Sequence, residues 1–275
     1  MGLNGKISSF LILLIFVLSL LAPYIVSYDP ESIDLDSLKQ PPSMKHLLGT
    51  DNKGRDILSR VLYGGRISIS TAVLAALISM AIGLIIGLMS GYYGGKLDTF
   101  FMASVDLVLA FPSLLLAIGV SVVFPPGIYT VMIAISAVGW ASFARLIRGQ
   151  VISLRQSSFV EAAKAIGCSN DRILFVHILP QCIPLAVVMT GLKLGGHILT
   201  EAALSFLGLG AQPPAATWGS MISANRIFIS SAPWMVFSPG ILIAITAISF
   251  NVLGDDLREK YAVQRNGRKL QKVSA

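Results

Sequence analysis

Charge is what this sequence has least of: Asp, Glu, Lys and Arg together make up 13% of its 275 residues. A soluble domain carries about 25%, so the chain cannot cover a water-facing surface in the usual way. Cysteine is nearly missing too. Cys168 and Cys182 fit no metal or redox spacing, so reduced thiols are expected. The three histidines, His46, His177 and His197, are too scattered for a metal site on one helix. A phosphate-binding loop is lacking: Gly49 and Gly54 have its spacing, but Arg55 stands where Lys is required and Asp56 where Ser or Thr is. There is no nucleophile–base constellation. The net charge of +7 comes with no nucleic-acid-reading motif, and the basic residues gather at segment ends.

What is present is apolar length. Hydrophobic residues are 54% of the chain and mean hydropathy is +0.75. At 1.5 Å per residue, about 20 apolar residues cross the roughly 30 Å hydrocarbon core of a bilayer. Residues 7–26 form the first such run. Lys6 before it would also suit a cleaved signal peptide, but the run is long for one and reads as a retained span. Lys6 stands where a myristoylation signal wants Ser or Thr, so no lipid anchor is expected. Further spans read at 67–89, 99–124, 128–146, 183–207 and 234–253. In the second, Gly83, Gly87 and Gly91 share one face and invite close approach of another helix. Pro112 predicts a kink in the third.

With the N-terminus inside, thirteen Lys and Arg lie on the inner side of these spans and seven on the outer side, six of the seven in the stretch before the second span. The positive-inside rule then puts both termini in the cytoplasm. The expected organisation is an N-terminal transmembrane helix at 1–26, an external loop at 27–66, a transmembrane core at 67–254 and a basic cytoplasmic tail at 255–275.

One polar island interrupts the core on the cytoplasmic side, SFVEAAKAIGCSNDRILFVHILP at 158–180. Ser158 and Glu161 have the spacing of a capping box. Phe159, Ala162, Ala163 and Ile166 repeat as a short apolar stripe. Gly167 ends that helix, Ser169 or Asn170 caps a second, Asp171 suits its positive end, and Pro180 closes it. Such a helix–turn–helix cannot cross a bilayer and reads as a handle for a soluble partner.

The same residues carry a resemblance. Glu161-Ala162-Ala163, Gly167 and His177-Ile178-Leu179-Pro180 resemble the EAA motif of ABC importer permeases, a cytoplasmic coupling loop at 157–180 that docks on the ATPase. The block from Leu48-Gly49-Thr50-Asp51 through Gly54-Arg55-Asp56 to Ser59-Arg60 is similar to the LGTD–GRD–SR signature of the peptide and nickel branch, in its OppC/DppC-like half. Glu201-Ala202-Ala203-Leu204-Ser205-Phe206-Leu207-Gly208-Leu209-Gly210, Gln212-Pro213-Pro214, Trp218-Gly219 and the run from Phe250 to Arg258 extend the likeness over nearly the whole chain.

The resemblance implies a type I (MetI-like) permease fold with six transmembrane helices and a cytoplasmic coupling helix. It implies a transport subunit, not an enzyme, with no cofactor of its own and ATP-Mg held by partner subunits. The expected partners are a homologous OppB/DppB-like permease, two cytoplasmic ABC ATPase subunits, an external solute-binding protein and the bilayer of a prokaryotic plasma membrane, with no nucleic acid. Ser158, Glu161, Ala162, Ala163, Gly167, Asp171, His177 and Pro180 would make the ATPase contact. Di- or oligopeptides are the expected cargo, with nickel or a nickel chelate as the alternative.

Four ionisable residues fall inside the spans clear of their terminal turns. Lys193, His197 and Glu201 are four apart and form one stripe on the fifth. Each ionised Lys or Glu costs about 2.5–3.5 kcal/mol at the bilayer centre, so the stripe should face the bundle interior or a watery path, with His197 bridging Lys193 and Glu201 or another helix pairing with them. Glu201, near the external end, would be only partly buried. Asp106 lies in the third span. Relatives often carry Arg three residues earlier where Ala103 stands here, and charge alone suggests Lys193 as its partner. All four are candidates for the translocation path; the other reading of the stripe is a buried structural network that locks the fifth span. A secondary carrier would instead use Asp106, Lys193 and Glu201 as a proton relay, though no internal repeat supports it.

Overall fold

In the computed structural model the apolar runs are helices because their backbone N–H and C=O groups have no other partner in lipid. Residues 2–273 are described, their side chains through residue 260. Among the described residues five helices are long and apolar enough to cross a membrane, and the number is six when one bent helix pair is counted as a single broken span. The chain begins with α1 (Leu3–Leu20) and a single turn α2 (Ala22–Ile25). The first span therefore ends before residue 26: Pro23 lacks the N–H that would continue it. α3 (Ile57–Tyr93) takes in the last ten residues of the stretch expected as external loop. Asp56 caps it, accepting from the Ser59 N–H and Oγ, each at 2.8 Å.

The third span is not one kinked helix. α4 (Gly95–Ala110) and α5 (Ser113–Val123) meet at 98° across Phe111-Pro112. Pro112 cannot donate a hydrogen bond and biases Phe111 to an extended backbone, φ −95° and ψ 146°. α6 (Ile128–Arg155) packs on α3 through the glycine face. A Cβ on Gly83 would lie 2.4 Å from the Phe143 Cβ, on Gly87 2.7 Å from the Ala144 carbonyl and on Gly91 2.8 Å from the Val151 Cβ, so only glycine permits this crossing.

After α7 (Ser158–Ala165) and the turn α8 (Asn170–Arg172), a π-helical segment at Ile173–Ile178 runs straight into α9 (Leu179–Phe206). Pro180 thus does not close a helix; Asn170–Phe206 is one continuous span. The Leu179 N–H bonds to Leu174 O, five residues back, and this wider register shifts the carbonyls a proline ring would strike. α10 (Trp218–Asn225) carries the true capping box, Thr217 with Ser220. The last helix, α11 (Trp234–Val273), continues through most of the segment expected as a separate tail. Ser274 and Ala275, and the side chains of Arg265, Arg268, Lys269 and Lys272, lie outside the described residues.

The stretch before α3 is folded around buried charge. Asp51 accepts from Arg55 Nε at 2.7 Å and from the backbone N–H groups of Lys53 and Arg55, with Arg60 Nε 3.7 Å away. His46 Nδ1 lies 2.9 Å from Asp56, and Arg60 donates to the Pro30 carbonyl at 2.7 Å. None of these five side chains' residues is more than 8% exposed. Trp218, fully buried, donates its indole N–H to Val61 O at 2.9 Å, fastening the 208–217 loop to the same end of the bundle.

Candidate functional site

At the opposite end, the hairpin of α7 and α8 grows from the junction of α6 and α9. Its first helix is capped at Ser157 rather than Ser158, and no capping box forms with Glu161. The Ser157 hydroxyl turns back to the Leu154 carbonyl instead. The turn is as expected from Gly167, whose φ is +80°. The Gly167 N–H reaches Lys164 O and the Cys168 N–H reaches Ala163 O, both at 3.0 Å, which closes a Schellman motif. Ser169 caps the second turn on the Arg172 N–H at 3.4 Å.

The hairpin is seated by apolar packing and two tyrosines. Val160, Ala163, Ile173, Leu174 and Ile178 pack with Leu88 and Tyr92 of α3 and with Ile147 and Val151 of α6. Tyr92 donates to Asn170 Oδ1 at 2.8 Å and Tyr93 to Asp171 Oδ1 at 3.3 Å. Sequence reading missed both tyrosines, because nothing in α3 marks its last turn as a partner for residues 78 positions away.

The expected stripe on α7 turns out to face outward. Of its members only Ala163 is buried; Phe159, Ala162 and Ile166 are exposed, the last at 81%. Ser158, Glu161, Asp171 and Pro180 are exposed as well, and His177 is half-buried. Phe175 and Val176 of the π segment are each 58% exposed. The hairpin therefore keeps one apolar face for the bundle and presents a second to whatever lies beyond it. Both cysteines are free, Cys182 buried beneath the hairpin.

The second candidate region is where α4 breaks from α5. A cavity of about 210 Å³ opens there against α6 and α9, lined by Ser113, Ser142, Gly139, Lys193, His197 and Thr200 together with apolar side chains. A larger cavity, about 550 Å³, lies between α1, α3 and the 214–216 stretch and shares no residue with it. The hydroxyls at 113, 142 and 200 escaped sequence reading; their common wall is assembled from three helices distant in the chain.

The four intramembrane charges do not form one chain. Asp106 pairs with Arg145 of α6, and its side chain is 68% exposed, so the expected pairing with Lys193 is wrong. Arg145 supplies across the helix interface the cation that Ala103 cannot. Glu201 is 2% exposed, not partly buried: it accepts from Ser205 Oγ at 2.8 Å, with the Ser68 and Thr217 hydroxyls also against it. No bridge joins Lys193, His197 and Glu201, so the stripe splits. Lys193 and His197 line the cavity; Glu201 is walled off from it. A further pair that the sequence did not announce, Arg148 with Asp98 at 2.6 and 2.7 Å, clamps α4 to α6.

Residues 83–260 match a family model described as the binding-protein-dependent transport system inner membrane component. The chain is 43% identical over 253 residues to the dipeptide transport system permease protein DppC of Alkalihalophilus pseudofirmus, covering 92% of this chain and 82% of that one. It is 40% identical over 249 residues to the glutathione transport system permease protein GsiD of Pectobacterium atrosepticum, covering 90% and 83%. Among solved structures, the inward-facing MetNI methionine ABC transporter gives a TM-score of 0.59 at 17% identity, over 72% of this chain and 95% of the other. An amino acid ABC transporter gives 0.54 at 18% identity, over 74% and 93%. These last two establish the MetI-like, all-helical permease fold.

Proposed function

The chain belongs to the inner membrane components of binding-protein-dependent transport systems, and from that membership we propose that it is the permease subunit of an ATP-driven ABC importer whose cargo is a di- or oligopeptide. It is a transport component and not an enzyme. The dipeptide and glutathione systems of its relatives support a short peptide as cargo. A homologous permease completes the path, an external binding protein loads it, and two cytoplasmic ATPases holding ATP-Mg grip the hairpins. Both termini are cytoplasmic, in keeping with the excess of Lys and Arg on that side.

The observation that carries this reading is the outward apolar face of the hairpin, Phe159, Ile166, Phe175 and Val176, held on a base packed against α3 and α6. A soluble subunit covering that face moves the ends of both helices as one body. Phe175→Asp tests it. The variant should insert at normal amounts, while the ATPase recovered with the purified permease falls at least tenfold. Undiminished recovery of the nucleotidase would remove the docking role.

A further inference from the structure

Resting on the permease reading above, we propose that Lys193 is a carboxylate-binding residue of the transmembrane cavity and takes the C-terminal carboxylate of the peptide in transit. The cavity is one-sided in charge. Lys193 is its cation, no Asp or Glu lines it, and among the described residues no carboxylate lies within ion-pair distance of the ammonium. An unpaired Lys in the middle of a span costs about 2.5–3.5 kcal/mol, a cost that an arriving anion lowers.

One more feature aims the same way. α5, eleven residues long, starts at the cavity with Ser113, and Pro112 at its cap position has no side-chain acceptor for the first N–H groups, so an uncapped positive helix end lies at the same space. His197 is 8% exposed and stands in the same wall against Gly139, with its Nδ1 sealed from the open space, so it shapes the wall without offering that nitrogen to a ligand.

The remaining polar groups suit a peptide better than a simple anion. Ser142 Oγ donates to Gly139 O at 3.0 Å and Thr200 Oγ1 to Gly196 O at 2.9 Å. Their protons are committed, so both oxygens are left as acceptors for a ligand N–H. A cation and free hydroxyl acceptors in one lining match a carboxylate followed by its amide. Small and aliphatic residues complete the wall and leave side-chain identity unread.

The test is uptake into proteoliposomes by the full transporter at saturating loaded binding protein, so that the binding protein's own preference drops out. The probes are trialanine and trialanine amide. Wild type should move the free acid at least tenfold faster than the amide. Lys193→Met should lower free-acid uptake about tenfold and leave the amide unchanged, and Lys193→Arg should restore the free acid. Membrane amount and ATP hydrolysis stimulated by the loaded binding protein are measured alongside. Equal slowing of both probes, as expected if Lys193 pairs with an acid of the second permease, would overturn the proposal. So would unchanged uptake of both, or a Lys193→Arg variant no better than Lys193→Met. Wild type that hydrolyses no ATP in response to loaded binding protein, or that moves neither probe, would count against the importer or peptide reading itself, a result distinct from these.

Discussion

The two ends of the bundle invert the usual rule of what goes inside. At the loop end, His46, Asp51, Arg55, Asp56 and Arg60 are buried; at the hairpin end, Ile166, Phe175 and Val176 stand in the open. Buried charge that is paired within the chain makes a rigid plug, whereas exposed apolar surface at a polar loop is what a docking partner would cover. One end is finished within the chain; the other, on the function proposed above, is finished by a soluble partner. The distinction can be attacked at each end, and the expected effects differ in kind as well as in size.

The largest effect belongs to Asp51→Ala. Removing this carboxylate leaves the Arg55 guanidinium buried without its partner and frees the N–H groups of Lys53 and Arg55. Breaking a buried pair from one side costs about 3–5 kcal/mol. The folded subunit recovered from membranes should fall several-fold, and thermal unfolding in detergent should move down by more than for any hairpin substitution. A variant as stable as wild type would mean that the plug is not what holds α3 to the loop.

A matched pair of glycines sharpens the same contrast. Gly54 and Gly167 have nearly equal φ, +74° and +80°. A Cβ on Gly54 would lie 1.7 Å from the Asp34 carbonyl, while one on Gly167 meets nothing within 4 Å. Gly54→Ala therefore adds a backbone collision to the left-handed strain; Gly167→Ala adds only the strain, about 1–2 kcal/mol and local to the turn. Gly54→Ala should lower the amount of folded subunit. Gly167→Ala should leave it in place but separate ATP hydrolysis from uptake, measured together in proteoliposomes. Equal loss of protein in both would erase the distinction between plug and handle.

These regions also show where sequence reading succeeds and where it stops. Gly167 was legible because a helix followed by glycine has one common geometry. The α7 stripe was legible as a stripe, but periodicity says which residues share a face, not whether that face turns toward the chain or away from it. Only the outward Ile166 and Phe159 reveal the direction. Pro180 misled because its effect depends on the π register of Ile173–Ile178, a property of neighbours packed under α3 and α6. The plug was legible as an external loop with its signature block but not as a buried one, since burial of Asp51 and Arg55 arises from pairing across the loop. The cavity at Lys193 was half legible: the stripe of Lys193, His197 and Glu201 announced itself, but its division into a lining part and a sealed part depends on Ser68 and Thr217, far away in sequence.

The smallest effect tests whether the handle is held as firmly as its burial suggests. Tyr92 is 5% exposed and its hydroxyl gives Asn170 a single hydrogen bond at 2.8 Å. Tyr92→Phe keeps the ring packed with Ile147 and Val151 and deletes that bond alone, worth about 0.5–1.5 kcal/mol. Global stability should barely change, because the plug at the far end is untouched. The hairpin should open more often, so backbone amides at 169–173 should exchange with deuterium up to roughly tenfold faster, tenfold being about 1.4 kcal/mol, with uptake reduced by no more than that factor. Faster exchange confined to the hairpin means that Tyr92 fastens the handle to α3. Faster exchange throughout the bundle means that the two ends are one cooperative unit, and the comparison between them would have to be given up.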